Sequence, residues 1–340
     1  MSANPLDQRI FRMIQDGIPI QSRPFDVMAK DLGCSSEDLL NRIKTTVDKG
    51  MIRAIGAVFS PQHLGYRTVL CGALVSPACV RTVAEQLNRL HEVTHNYLRE
   101  HDWNLWFTLV AADTSRIEEI LNLVRTNQGV ETVVALPARR VFKIAVLFDL
   151  DPTRATSSDA QVSVTRARME SPQNLPSPAQ IQMVRALQQP FPLVEEPFRA
   201  MAAEAKCSED QLLEQIRRWL SDGTIRRFGA RVRHHVVGYA ANGMAVWSVP
   251  ETQVQQFGVC IARFPQVSHC YERQVCPQWR YNLYAMIHAA ERQQVKEVHK
   301  LISDEIGHWD HEILFSVEEF KKSAPVYFFE KKYGDEEIET

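Results

Sequence analysis

Several absences narrow the function of this 340-residue chain before any motif is considered. Its 7 cysteines are odd in number and none stand in a CxxC pair. Free thiols in a reducing cytoplasm are therefore expected, with neither a disulfide framework nor a cysteine-ligated zinc. Charges, Gly or Pro interrupt every apolar run within about 18 residues, which excludes a membrane-spanning helix. The opening MSANPLDQRIF has no basic stretch leading into an apolar core, so no secretory signal is read. There is no GxGxxG, no GxxxxGK followed by Ser or Thr, and no GxSxG, which leaves nucleotide and hydrolase readings without an anchor. An excess of basic charge is missing too: 39 Lys and Arg stand against 41 Asp and Glu, for a net charge of −2. A chain that clamps a long run of phosphates usually has a net basic surface, so this balance argues against nucleic acid. At 45% apolar and 24% charged residues the composition is that of a globular protein with two or more domains.

What is present is an internal duplication. GIPIQSRPFDVMAKDLGCSSEDLLNRI (17–43) aligns with PFPLVEEPFRAMAAEAKCSEDQLLEQI (190–216) at an offset of 173. At the same offset, IRAIGAVF (52–59) matches IRRFGARV (225–232) and LGY (64–66) matches VGY (237–239). VTHNYLR (93–99) then matches VSHCYER (267–273) at 174, and NLWF (104–107) matches NLYA (282–285) at 178. Copy two has gained four residues in that last turn. The Ser-, Thr- and Pro-rich stretch between the copies reads as a linker. A period this long marks duplication of a whole unit, not a solenoid.

Each copy follows one order. Leu6, Ile10, Met13 and Ile14 are spaced for a helix stopped by Gly17. Pro24 opens a second helix (Phe25, Met28, Ala29, Leu32) closed by Gly33. Ser35 and Ser36, followed by Glu37 and Asp38, cap a third that carries Leu39, Leu40, Ile43 and Val47. Three helices followed by IRAIGAVF is the order of a winged helix-turn-helix. A strand (69–76), a helix (about 78–90), strands at 93–99 and 103–111, a helix (114–127) and a long strand (131–148) give the ferredoxin-like βαββαβ order. Copy two repeats this through 242–250, 254–264, 267–273, 281–289, 291–306 and a last strand near 313–328. The expected fold class is α+β, a tandem duplication of these two domains. Its boundaries fall at 1–62, 63–150, a linker at 151–178, 179–235, 236–330 and a tail at 331–340.

The helix-turn-helix does not by itself mean DNA binding. The recognition-helix candidates, 35–49 and 208–222, set Arg42, Lys44 and Lys49 against Glu37, Asp38 and Asp48, and Arg217 and Arg218 against Glu209, Asp210, Glu214 and Asp222. Their first turns are acidic in both copies, and carboxylates repel phosphate.

The chemistry lies in the third segment of each ferredoxin-like domain. Side chains alternate along a strand, so His95, Tyr97, Arg99 and His101 are expected to project together, with Thr94, Asn96, Leu98 and Glu100 opposite. His269, Tyr271 and Arg273 repeat the pattern. The neighbouring strand adds Asn104 and Trp106, and in copy two Asn282, Tyr284, Met286 and His288. Leu105, Phe107 and Leu109 form the face that packs on helices. A solvated outer sheet face is the plain alternative, but the same His-x-Tyr-x-Arg triplet stands in both copies. These residue types suit a large, flat, anionic ligand: Arg pairs with carboxylates, imidazole ligates iron or moves protons near pH 7, and Trp or Tyr stacks on a ring. A metalloporphyrin meets all three demands.

Other candidates are weaker. His234-His235 closes the copy-two wing strand and reaches a pocket or only the surface. Arg53, Arg226 and Arg227 open the wing strands and bind carboxylates or form salt bridges. His308-x-x-His311 has metal-like spacing without an evident third ligand. Cys270 and Cys276 lack a zinc frame, and Met244 and Trp247 read as core.

Taken together, GIPIQSRPF, IRAIGAVFSPQHLGY, VTHNYLREHDWNLWFT, ANGMAVW, VSHCYERQVCPQWRYNLYAMIHA and LFSVEEFKKSAPVYF make the chain resemble the siroheme decarboxylases, which look like Lrp/AsnC regulators. The resemblance covers nearly everything outside the linker and tail. Copy one resembles the NirD-type subunit and copy two the NirL-type, fused into one chain.

The resemblance implies removal of the C12 and C18 acetate carboxylates of siroheme to give 12,18-didecarboxysiroheme, on the way to heme d1 or in the related alternative heme route. It implies histidines in binding and catalysis, carried by motif onto His95 and His101, with His269 and His288 as copy-two candidates. Copy two reads Gln274-Val275-Cys276 where copy one has Glu100-His101-Asp102, so one productive site built mainly on copy one is expected.

On this reading His95, His101 and Tyr97 are catalytic. Arg99, Arg53, Trp106, Asn104, His269, Tyr271, Arg273, Arg226, Arg227 and His288 bind substrate. No cofactor is implied beyond the substrate's own iron, which falls to His95, His101 or His269. The partners implied are siroheme and, within the chain, a pseudo-dimer of the two copies. Further self-association stays open, and neither nucleic acid nor membrane is expected. An Lrp/AsnC-type transcription regulator and a heme-binding protein without catalysis are the alternatives.

Overall fold

The structure, a computed structural model, describes residues 4–144, 165–166, 175–232 and 241–329. Most of the expected linker, the tail, the end of the long strand (145–148) and His234-His235 lie outside them. Copy one runs α1 (Pro5–Asp16), α2 (Pro24–Leu32), α3 (Ser36–Asp48), β1 (Ile52–Phe59), β2 (Arg67–Val75), α4 (Val80–Asn88), β3 (Val93–Arg99), β4 (Leu105–Ala111), α5 (Thr114–Arg125) and β5 (Val130–Ile144). A short β6 (Thr165–Arg166) precedes copy two, which runs α6 (Pro178–Leu187), α7 (Pro197–Glu204), α8 (Glu209–Asp222), β7 (Ile225–Val232), β8 (Ala241–Ser248), α9 (Val254–Ala262), β9 (Val267–Arg273), β10 (Leu283–Ala289), α10 (Arg292–Ile306) and β11 (Asp310–Lys322).

Local chemistry sets the helix ends. The Ser35 hydroxyl accepts the Asp38 N–H at the start of α3, and Ser177 with Gln180 and Ser208 with Gln211 form full capping boxes on α6 and α8. These bonds satisfy amide groups that a helix start leaves without partners. Gly33 ends α2 at φ +73°, a conformation side-chain-bearing residues resist. The last strand departs from the expected 313–328: it begins at Asp310 and stops at Lys322. Pro325 brings no N–H to a ladder, and Tyr327 instead packs edge-on against Phe59 at 6.0 Å while its backbone bonds Gln188.

The chain forms two compact units, and each draws on both copies. The helical unit holds α1 to β1, α6 to β7 and the segment from Pro325. Its strands β1 and β7 pair antiparallel with each other, Gly56 opposite Gly229, so each wing strand finds its ladder in the other copy. Glycine is needed at 229, because a Cβ there would stand 2.7 Å from the Ile14 carbonyl oxygen. Phe191 joins the copies in the core, packing on Phe25 of copy one and on Phe198 and Phe228 of its own.

The sheet unit contains the two ferredoxin-like halves. Each contributes a four-stranded antiparallel sheet, β3-β4-β2-β5 and β9-β10-β8-β11. The long last strands cross over. β5 pairs with β2 as far as Pro137 and with β9 from Ala138, while β11 pairs with β8 as far as Phe315 and with β3 from Ser316. The ladders thereby close into a ring of eight strands with β3 and β9 on opposite walls. Outside the ring, Leu105, Phe107 and Leu109 pack with Val83, Leu87, Ile120 and Leu121 of α4 and α5. Trp247, Leu283 and Ile287 pack likewise with Val254, Ile261, Val295 and Ile302 of α9 and α10. The inward faces supply a separate core that includes Trp106, Leu136, Met244, Val246, Tyr284 and Leu314.

One buried titratable group sits in the outer core. His299, 5% exposed, lies flat on Trp247 (5.2 Å between ring centroids) and 4.6 Å from the His311 ring. Burial, then the second imidazole, pushes its pKa down to about 4. An imidazole whose folded pKa lies below its unfolded value stabilises the fold above the unfolded pKa, and the benefit is lost as pH falls toward the folded one. Native protein is therefore expected to lose about 2 kcal/mol through this group between pH 7.5 and 5. His299→Phe, which keeps the stack, should show a shallower acid-side decline in melting temperature. Parallel declines in the two proteins would contradict the assignment.

Candidate active site: two imidazole–phenol–guanidinium ladders

β3 and β9 each carry a stacked row of three side chains. His95 stacks on Tyr97 with centroids 6.3 Å apart, and the Arg99 guanidinium stands 5.5 Å over the same phenol. In copy two the spacings are 6.1 Å for His269 on Tyr271 and 4.8 Å for Arg273 over Tyr271. Strand alternation places residues i, i+2 and i+4 on one side, and Asn96, between them, turns outward to the Ala84 carbonyl and Asn88 of α4. The rows face the ring interior. Arg99 Nη2 lies 3.9 Å from Met286 Sδ, and Arg273 also stands 5.5 Å over Tyr284.

The two arginines end the rows at equivalent places. Arg99, 5% exposed, donates through Nη1 to the Leu314 carbonyl (2.8 Å) and to Ser316 Oγ (3.2 Å). Arg273 Nη1 donates to the Leu136 carbonyl at 2.9 Å. Each thus fastens the crossing strand of the other copy. Both keep a buried Nε without a partner, and among the described residues neither meets a carboxylate. Burial lowers both pKa values, that of Arg99 to about 10, and a guanidinium in a protein keeps its charge near neutral pH. A buried cation without a counter-ion costs several kcal/mol, and an anionic ligand would relieve that cost.

Other expected site residues fall elsewhere. β3 ends at Arg99, so the alternation expected to carry on to His101 stops short of it. His101 sits in the following turn, where Nδ1 accepts the Trp103 backbone N–H at 2.9 Å and the ring meets Trp279 edge-on at 5.6 Å. A backbone amide can only donate, so Nδ1 bears the lone pair and Nε2 the proton. With Nδ1 so engaged, Nε2 is the nitrogen left to donate a hydrogen bond.

Asn104 spends its amide on Val75, donating to the carbonyl at 2.7 Å and accepting the N–H at 3.2 Å, as Asn282 does with Val249. Both polar atoms of the amide thus serve to close the strand end. Trp106, 1% exposed with Nε1 bonded to the Trp103 carbonyl, is interior core. Arg53, Arg226 and Arg227 belong to the helical unit. There Arg227 donates to the carbonyls of Gln15, near the end of α1, and of Ala230. A cation at a helix C-terminus is a structural fit. His308 approaches Asp304, and no cluster of three metal ligands occurs among the described residues.

Three contributors escaped sequence reasoning. Trp279, on the turn lengthened in copy two, lies 5.1 Å from Trp106 and 5.6 Å from Trp103 and donates to Tyr284 Oη at 2.8 Å. The four-residue gain was the available signal. Thr94 and Ser268, each just before a ladder histidine, hold its Nδ1 at 3.0 and 2.8 Å. The shared V-[hydroxyl]-H order in VTH and VSH was the sign of it.

Comparison with known proteins defines first the class and then the family. An AsnC-like ligand binding domain matches residues 63–143 and 236–321, and the siroheme decarboxylase NirDL-like HTH domain matches 7–53 and 180–226. The protein is thus a duplicated Lrp/AsnC-like chain of helix-turn-helix and ligand-binding domains. It is 36% identical to the siroheme decarboxylase of Hydrogenobacter thermophilus over 95% of each chain. It is 32% identical to the siroheme decarboxylase NirDL subunit of Paracoccus denitrificans, over 95% of this chain and 97% of that one. A crystal structure of the siroheme decarboxylase NirDL in complex with an iron-uroporphyrin III analogue superposes with a TM-score of 0.72 at 32% identity, covering 94% of this chain and 93% of that one. The chain belongs to the siroheme decarboxylase family, and is an enzyme of that family.

Proposed function

We propose that this enzyme removes the C12 and C18 acetate carboxylates of siroheme as carbon dioxide, using the two ladders as opposite sides of one site. The observation that carries this reading is the pair of buried, unneutralised arginines, Arg99 and Arg273, at equivalent positions of the two copies. Carboxylates that the reaction retains would complete them, since guanidinium holds carboxylate in a fixed fork geometry. His101, a donor at Nε2, would bind another carboxylate.

The histidines differ in what they offer. Thr94 donates its hydroxyl to the Thr108 carbonyl at 3.3 Å while lying 3.0 Å from His95 Nδ1. Both bonds hold when His95 donates from Nδ1, which puts the lone pair on Nε2 and suits His95 to the substrate's iron. His269 takes the proton-donor role. Protonating a pyrrole ring carbon creates an iminium-like cation. That cation accepts the C–C bonding electrons as carbon dioxide leaves. A proton added at the exocyclic carbon and one lost from the ring then give the methyl group, for a net uptake of one proton per carboxylate. No further electron sink is needed. Tyr97 and Tyr271, between imidazole and guanidinium, orient both.

A regulatory role draws no support from the helix-turn-helix cations. Arg42 is held by Asp7 and Asp38, both at 2.8 Å, Arg218 pairs with Glu214, and Arg217 donates to the Ile20 carbonyl. Anaerobic incubation with siroheme, read by product mass, tests the proposal. Loss of two carbon dioxide per macrocycle is expected. A spectral shift without mass loss would instead identify a carrier.

A further inference from the structure

The ladder histidines sit in unequal hydrogen-bond networks. In copy two, Ser268 Oγ lies 2.8 Å from His269 Nδ1 and 2.8 Å from His288 Nε2, and 3.5 Å from the Met286 carbonyl. Copy one has Thr94 at the serine position and Val110 at the His288 position, so its hydroxyl turns to Thr108. Ser268 is 6% exposed, which removes water as an easy substitute partner. A serine hydroxyl has one proton to give. Two imidazole nitrogens face it at equal distance, so at least one of them must itself carry a proton, and the Met286 carbonyl, at 3.5 Å, is the weakest of the three partners for the hydroxyl. The protonation of His269 is therefore tied to that of His288.

We propose that Ser268 and His288 are positioning residues forming a proton relay behind His269, a device present in copy two and missing from copy one. The inference rests on the proposed role of His269 as proton donor. In the loaded state His288 is imidazolium and donates from Nε2 to Ser268, Ser268 donates to His269 Nδ1, and His269 carries its proton on Nε2. When His269 gives that proton to the macrocycle, the serine proton passes to His269 Nδ1 and the His288 Nε2 proton passes to Ser268. His269 stays neutral throughout. The net change is one proton lost by His288 and one gained by the substrate, with the positive charge stored one residue back from the reacting ring.

Two readouts test this, one of them independent of turnover. In protein with 15N-labelled histidine, long-range 1H–15N spectra report the tautomer of each ring. His288→Gln, which still donates to Ser268, should hold His269 in the Nε2–H form. His288→Val should shift its nitrogen signals away from that pattern. With siroheme, His288→Gln should lower kcat about 10–100-fold with KM within about threefold, because the amide donates a hydrogen bond but has no proton to pass on. Ser268→Ala should show the same loss and Ser268→Thr should recover most of it. The relay is overturned if His288→Gln restores native kcat, if threonine does no better than alanine at 268, or if the His269 tautomer ignores residue 288. Absence of siroheme turnover in the native protein would strike the proposed reaction instead, and the spectra would still decide the hydrogen-bond coupling.

Discussion

Replacing His269 with alanine is expected to lower kcat for siroheme about 10²–10⁴-fold, the usual range for loss of a positioned general acid, with KM within about threefold. His95→Ala should fail in a different way. On its proposed role in holding the iron, its loss should weaken binding of the iron macrocycle but not of metal-free uroporphyrin, so the ratio of the two affinities separates the roles. The hydrogen bonds set this contrast: Nδ1 of His95 faces a hydroxyl already committed to the Thr108 carbonyl, while Nδ1 of His269 faces one shared with a second imidazole. Stopped-flow binding together with steady-state turnover on both variants supplies the measurement. Equal effects on kcat and on iron preference in the two variants would mean that the copies are interchangeable and the division of labour is wrong.

The second large effect falls on the buried cations. Arg99→Met removes a charge held without a counter-ion inside the sheet unit and should cost little stability, since burying the charge offsets much of what its bonds to Leu314 and Ser316 contribute. Binding should suffer far more. A desolvated arginine–carboxylate pair is worth about 2–4 kcal/mol on truncation, or roughly 30–1000-fold in affinity. The loss should appear with iron-uroporphyrin, whose carboxylates are free, and largely vanish with its methyl ester. Arg273→Met is expected to behave alike. Isothermal titration against the two ligands, with thermal unfolding as control, distinguishes the outcomes. An equal loss for acid and ester would deny the arginines their carboxylate role and leave them as fasteners of the crossing strands.

The ladders were legible in the sequence because a strand's period of two is written directly in His-x-Tyr-x-Arg. The duplication made the two copies vouch for one fold. Helix limits were legible for the same local reason, since Ser35 and Gly33 act within one turn of themselves. What stayed hidden depends on contacts remote along the chain. Nothing local tells β5 or β11 to leave its own sheet midway and pair with the other copy, yet that crossing closes the ring and buries the arginines. His101 was expected on the ladder because alternation was carried past Arg99, where the chain turns. Asn104 looked like a ligand because an amide side chain imitating a backbone partner for Val75 has no sequence signature. The wing arginines looked available for a similar reason, since Arg227 is occupied by the end of a helix more than 200 residues earlier.

Crystals of the native protein grown anaerobically with iron-uroporphyrin would test the central claim most directly. The macrocycle should lie in the sheet unit with iron on His95 Nε2, a carboxylate within 3.2 Å of Arg99 or Arg273, and a pyrrole carbon directed at His269. Electron density for the macrocycle in the helical unit, or on the outer helix-covered faces with both arginines still unpaired, would contradict the account.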